Sequence, residues 1–80
     1  MKKLELEYDL RTGYDYAIQQ LNYHSAKKQD AKNNFVRATQ EEMIIIYEWS
    51  KTHIMLLINR LTDDNVDEIN QEFENLKAPK

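Results

Sequence analysis

The chain has 80 residues, no cysteine, two histidines and a formal net charge of −3 at pH 7. This length fits one domain, residues 1–80, with a small core, and oligomerisation is a usual way to stabilise such a domain. The lack of cysteine excludes disulfides and thiolate metal sites, and two histidines cannot complete a structural zinc site. The negative charge argues against a general polyanion binder.

Two features bear on where the chain resides. Glu5, Glu7 and Asp9 interrupt the apolar core that a secretory signal peptide needs. Residues 43–61 are strongly apolar but contain a glutamate, a lysine, a histidine and an arginine, whereas a membrane-spanning helix needs about 20 residues nearly free of charge. We therefore expect a cytoplasmic protein without a membrane span. The seven asparagines and seven isoleucines suit an AT-rich gene of bacterial or phage origin.

Apolar and acidic side chains alternate from Leu4 to Leu10. A period of two is typical of a half-buried strand, although Leu4 with Tyr8, and Leu6 with Leu10, also have helical spacing. We predict an extended or strand-like segment over residues 1–11, with a helical turn as the alternative. A single strand would leave an edge open to pairing with the same strand of a second copy.

A first helix is predicted from about Gly13 to Asn33, starting at a Thr12 cap with Asp15 three residues later. Its first half is amphipathic, and its second half brings lysines onto the same face, which therefore offers little to bury. Asn33 and Asn34 can end the helix in a left-handed conformation, with Phe35 and Val36 packing back over the end, and the alternative is a helix that runs on for a few residues. The predicted apolar face consists of Tyr14, Ala17, Ile18 and Leu21.

The stretch from Thr39 to Leu61 predicts the long helix around which the domain is organised. Thr39 and Glu42 have the spacing of a capping box, which predicts the start of this helix. Apolar residues then recur at steps of three and four, which predicts one buried face. That face consists of Met43, Ile46, Tyr47, Ser50, Ile54, Leu57, Ile58 and Leu61.

A short third helix follows, with Asn65 and Glu68 at the capping spacing and an end near Lys77. Its predicted apolar face is Val66, Ile69, Phe73 and Leu76, and residues 78–80 form a tail. The predicted fold class is all-α: a long antiparallel helical hairpin plus a short C-terminal helix, with one short N-terminal strand as an open alternative.

Ile45, Trp49 and Leu56 form a second apolar stripe on the long helix, which we call the Trp49 stripe. Exposing such a stripe is unfavourable, at roughly 25 cal/mol per Å² of apolar surface, so something is expected to cover it. There are three candidates for this cover: the third helix or the N-terminal segment, a second copy, and a different protein. Tyr16 and Tyr23 either join this partner surface or pack against the N-terminal segment.

The sequence offers little for catalysis or for ligand binding. Asp63, Asn65, Asp67 and Glu74 match positions of a calcium loop, but Glu68 replaces the glycine that the loop needs, so an acidic helix start is the better interpretation. Neither histidine has a glutamate three residues before it, as carboxylate-bridged metal sites in helical bundles require. His24 and His53 are expected to pack or to form hydrogen bonds. We predict no enzyme, no metal and no cofactor.

Charge is concentrated in two places. Four basic residues lie between positions 27 and 37 and, with one aspartate, carry a net charge of +3: Lys27, Lys28, Lys32 and Arg37. Six acidic residues and no basic residue lie between positions 63 and 76: Asp63, Asp64, Asp67, Glu68, Glu72 and Glu74. The first cluster is a possible phosphate contact, and the second is a possible surface for a partner protein.

The functional prediction is a small non-enzymatic protein-interaction module, a homodimeric regulator or inhibitor that binds another protein through the Trp49 stripe. The alternative is a nucleic-acid-related regulator. It would either touch phosphate through the lysine cluster or block a DNA-binding protein with its acidic C-terminal helix.

Overall fold

A computed structural model describes residues 1–77 and shows three helices in that range: α1 (Lys3–Asp30), α2 (Asn34–Arg60) and α3 (Val66–Lys77). α1 and α2 form a long antiparallel hairpin, and α3 packs across one end of it. The molecule is elongated, with extents of 50 × 22 × 15 Å. The predicted small all-α bundle is confirmed, and the predicted tail, residues 78–80, lies outside the described residues. None of the helices in the described range has the length and apolar character to cross a membrane.

The prediction of a strand over residues 1–11 is wrong, because α1 already begins at Lys3 and passes through Thr12 without a break. Leu6 and Leu10 are fully buried, whereas Leu4 and Tyr8 are exposed. The four-residue spacing therefore determines the structure, and the alternation with acidic residues does not. A helix satisfies its backbone hydrogen bonds within itself, so this segment needs no partner strand.

Gly13 lies inside α1, where Phe73 of α3 approaches the helix. A Cβ atom at this position would lie 3.2 Å from Cζ of Phe73 and 3.5 Å from Cδ1 of Ile54. The missing side chain therefore lets the Phe73 ring lie against the α1 backbone. Glycine in a helix interior is unfavourable by roughly 1 kcal/mol relative to alanine, and this packing is a reason for its presence.

The predicted start of the long helix at Thr39 is also wrong, because α2 begins five residues earlier. Asn33 is the N-cap, and its side-chain oxygen accepts a hydrogen bond of 2.9 Å from the Val36 N–H. Thr39 lies inside the helix, where its hydroxyl donates to the Phe35 carbonyl oxygen at 3.0 Å. Asparagine is among the strongest N-caps, so this cap prevails over the Thr39 capping box.

The hairpin turn differs from the prediction in two further respects. α1 ends at Asp30, and Asn33 has an extended conformation (φ −140°) and not a left-handed one. Phe35 is 81% exposed and does not pack back over the helix end. The asparagine side chain therefore serves the helix that follows the turn and not the helix that precedes it.

The third helix is confirmed in place and length, but Asn65 acts differently from the predicted capping box. Its side-chain oxygen accepts from the Thr62 N–H at 2.7 Å, and its amide nitrogen donates to the Arg60 carbonyl oxygen at 2.8 Å. The Asn65 side chain thus links the turn to the end of α2 through these two hydrogen bonds. This Asx-type local bonding is a common way to order a tight connection.

The hydrophobic core lies at the end of the hairpin that α3 covers. It joins buried residues of all three helices: Leu6, Leu10, Ile54, Leu57, Ile69 and Phe73. Tyr14, Ile58, Leu61, Val66 and Leu76 pack around it half-buried. Because α1 already begins at Lys3, Leu57 of α2 joins Leu6 and Leu10 in this cluster. The predicted burial of Ile69 and Phe73 is confirmed.

Candidate protein-interaction surface

All three residues of the Trp49 stripe remain exposed when the three helices are assembled. Ile45 is 68% exposed, Trp49 50% and Leu56 52%. Ile54 and Leu57 face the core, so the stripe lies on a different side of α2. Among residues 1–77, neither α3 nor the N-terminal segment covers the stripe. Of the three candidates, a second copy and a different protein therefore remain.

Ile46 adds to this exposed apolar surface. It is 53% exposed, so its predicted place in the core is wrong. The buried side chains of α2 in the core, Ile54 and Leu57, lie about two and three helical turns further along the helix, where α3 adds a third wall. At Ile46 the hairpin has only two helices, and two helices cannot enclose a side chain on their flank.

Trp49 is held in place by a neighbour on the same helix. The ring centroids of Trp49 and His53 are 4.0 Å apart at an angle of 30°. His53 Nδ1 lies 2.9 Å from the Trp49 carbonyl oxygen, which requires the tautomer with a proton on Nδ1. An aromatic side chain that is ordered before binding loses less entropy on association, which favours it as an interface anchor.

Tyr16 and Tyr23 are exposed on α1 but lie elsewhere. The Tyr16 ring meets Tyr47 edge-on, with centroids 6.1 Å apart, and the Tyr23 ring meets His24 edge-on at 5.0 Å. Tyr47 and Trp49 are two residues apart, about 200° around the helix, so Tyr16 is not part of the Trp49 stripe. The alternative of packing against the N-terminal segment is wrong, because residues 3–10 belong to the same helix as both tyrosines.

Polar and aromatic contacts join α1 to α2 beyond the end of the core. His24 stacks on Tyr47 with centroids 5.7 Å apart, and its Nδ1 lies 2.6 Å from the side-chain oxygen of Gln40. Burial, followed by the hydrogen bond with Tyr16, raises the pKa of Tyr47 above its ordinary value. The prediction that His24 and His53 pack and form hydrogen bonds is confirmed.

The four basic residues of the lysine cluster gather around the hairpin turn. Lys28 forms an ion pair with Glu41 across the hairpin at 3.3 Å, and the Lys27 ammonium lies 5.5 Å from the centroid of the Tyr23 ring. Lys32 and Arg37 are exposed. The cross-helix pair with Glu41 was missed from the sequence, because the two residues are 13 positions apart and only the hairpin register brings them together.

The six acidic residues do not form one continuous free surface. Arg60 donates to both carboxylate oxygens of Glu72 at 3.0 and 2.9 Å and lies 3.5 Å from Glu68. Glu74 pairs with Lys77 at 3.1 Å. The other three acids, Asp63, Asp64 and Asp67, line a shallow pocket that Lys2 and Lys3 also line.

No protein-family model matches the chain, and searches of curated proteins and of solved structures find no match.

Proposed function

We propose that this protein is a non-enzymatic interaction module that forms a homodimer through the Trp49 stripe and regulates or inhibits another protein in the cytoplasm. The observation that carries the proposal is the exposure of Ile45, Trp49 and Leu56 on one face of α2, bordered by the exposed Ile46. Contiguous exposed apolar surface of this kind usually marks an interaction site.

A second copy is the partner with which association buries the most apolar side chains of the stripe. Fully burying an aliphatic side chain contributes about 1.5–3 kcal/mol, so a half-exposed one offers roughly 1 kcal/mol. A twofold interface buries the same patch on both subunits, which doubles the number of apolar side chains covered. The ordered Trp49 ring reduces the entropy lost on binding. These terms support a dimer against the unfavourable entropy of association.

We favour a protein over a nucleic acid as the further partner because of the charge placement. The ion pair between Lys28 and Glu41 reduces the positive charge at the turn. Phosphate binding relies on several uncompensated basic residues acting together, so this small cluster is a weak candidate for it.

The test is the solution mass of the wild type and of the variant Trp49→Glu across a concentration series. We expect about twice the chain mass of 9.6 kDa for the wild type and a monomer with unchanged helical circular dichroism for the variant. The matched control is Leu4→Glu, which places the same charge at an exposed apolar residue of α1 and should leave the dimer intact. A monomeric wild type, or a Trp49→Glu variant that still dimerises, would contradict the proposal.

A further inference from the structure

We infer that the second copy docks antiparallel, α2 against α2, about a twofold axis near the midpoint between Ser50 and Lys51, so that the basic turn of each copy lies beside the acidic end of the other. This inference rests on the self-association proposed above and specifies its orientation and register.

The stripe is complementary to itself in this orientation. Ile45, Trp49, Thr52 and Leu56 follow one another at steps of four, three and four, which is the spacing of a coiled-coil seam. Their midpoint lies between Ser50 and Lys51. In an antiparallel pair centred there, Ile45 faces Leu56 of the second copy, and Trp49 faces Thr52. Each large aliphatic side chain then meets another, and each indole meets a small one, which suits close packing.

Charge distinguishes the antiparallel orientation from the parallel one. Residues 27–37 carry a net charge of +3 at the hairpin turn, and the exposed Asp63 and Asp64 lie just beyond the other end of α2. A parallel pair would place the two basic turns side by side and would do the same with the two acidic ends. An antiparallel pair places each basic turn beside an acidic end, and opposite charges favour that orientation.

Arg37 and Asp64 mark the two oppositely charged ends of the docking face. Arg37 lies 13.5 residues from the midpoint, or roughly 20 Å along the helix axis. Asp64 follows the end of α2 by four residues, in the turn that leads to α3, and marks the acidic end of the hairpin. Both side chains are exposed. Symmetry places a basic turn beside an acidic end twice in each dimer and closes the assembly, so it does not propagate into a fibre.

Neighbouring charged residues reduce the electrostatic preference for the antiparallel orientation. Lys2 and Lys3 line the same shallow pocket as Asp63 and Asp64 and offset part of their charge. Glu41, paired with Lys28, does the same at the basic turn. The charges therefore select the orientation of the dimer, while the apolar stripe supplies most of its affinity. α3 borders the docking face at one end, because Leu56 lines a shallow pocket together with Glu72 and Leu76, and Leu56 itself stays 52% exposed.

The first experiment reverses the charges singly and together, in Arg37→Glu, Asp64→Arg and the double variant, with dimer dissociation constants from sedimentation at low and high salt. We expect each single variant to weaken the dimer about tenfold at low salt, which corresponds to about 1.4 kcal/mol. The double variant should regain most of the affinity, and high salt should reduce the differences, because exposed charges are screened.

The second experiment measures the orientation directly. The chain has no cysteine, so Thr39→Cys accepts a single spin label at an exposed position of α2 away from the stripe. An antiparallel dimer places the two labels more than about 30 Å apart, whereas a parallel dimer places them within about 20 Å of each other. A long distance together with rescue in the double variant supports the inference.

The outcomes separate this inference from the proposed function. A dimer with a short label distance, or without rescue by the double variant, overturns the antiparallel register and leaves self-association standing. A wild type that stays monomeric overturns both, and the stripe would then serve a different protein.

Discussion

The two ends of the helical hairpin differ although the same two helices form both. At the core end, α3 closes the space between α1 and α2, and Leu6, Leu10 and Ile69 are fully buried. At the turn end, the helices meet through the His24–Gln40 hydrogen bond and the Lys28–Glu41 ion pair. Two helices alone cannot enclose a core, so the position of a third apolar element decides which end is closely packed.

This difference has consequences for stability and for binding. Exposed ion pairs and hydrogen bonds contribute little net stability, whereas buried apolar side chains contribute most of it. The turn end should therefore open locally more often than the core end. It also leaves Ile45, Ile46 and Trp49 exposed on its flank.

The largest predicted effect compares two phenylalanines, one at each end. Phe73 is buried in the core and Phe35 is 81% exposed at the turn. Phe73→Ala should lower the free energy of unfolding by about 3–5 kcal/mol, a large part of the roughly 4–12 kcal/mol expected for a domain of 80 residues. Phe35→Ala should change it by less than about 0.5 kcal/mol. Urea denaturation followed by circular dichroism measures both, and equal losses would show that the ends are packed alike.

A smaller effect is predicted at the turn itself. Asn33→Ala removes the cap that accepts from the Val36 N–H, and should cost about 1 kcal/mol of unfolding free energy. The matched variant Thr39→Ala removes a hydroxyl that donates within the helix, and alanine is the better helix former, so its effect should be near zero or stabilising. Thermal denaturation of the two variants decides between the two helix starts. A larger loss in Thr39→Ala would place the start of α2 at Thr39.

The smallest predicted effect is a pH dependence at the core end. Arg60 donates to Glu72 and holds the pKa of that carboxyl below its ordinary value of 4.5. A lowered pKa in the folded state means that the pair stabilises the fold above the unfolded pKa and that this contribution is lost as the pH falls through the folded pKa. The melting temperature of the wild type should therefore exceed that of Glu72→Gln at neutral pH and converge with it well below pH 4.5.

A double variant is the control for this pH effect. Arg60→Gln combined with Glu72→Gln should show the same shallow pH dependence as Glu72→Gln alone, because the interaction is already absent. A difference between wild type and Glu72→Gln that stays constant from neutral to acid pH would rule out the ion pair as its source.

Several elements could be predicted from the sequence because their signals are local. α3 has a period of 3.6 that no competing pattern disturbs, and the predicted burial of Ile69 and Phe73 is confirmed. The first ten residues fit two periods at once, and the sequence alone did not show which one packs against a neighbour. Two candidate caps compete for the start of α2, and their spacing in the sequence did not rank Asn33 above Thr39.

The sequence by itself determined that this chain is helical, that α2 carries two apolar faces, and that basic and acidic residues are concentrated in separate stretches. Only the tertiary structure decided which of these features meet. It places α3 over Leu6 and Leu10, pairs Lys28 with Glu41, and leaves Trp49 exposed. The physical reason is that helix formation depends on neighbours three and four residues away, whereas burial depends on which distant helix lies alongside.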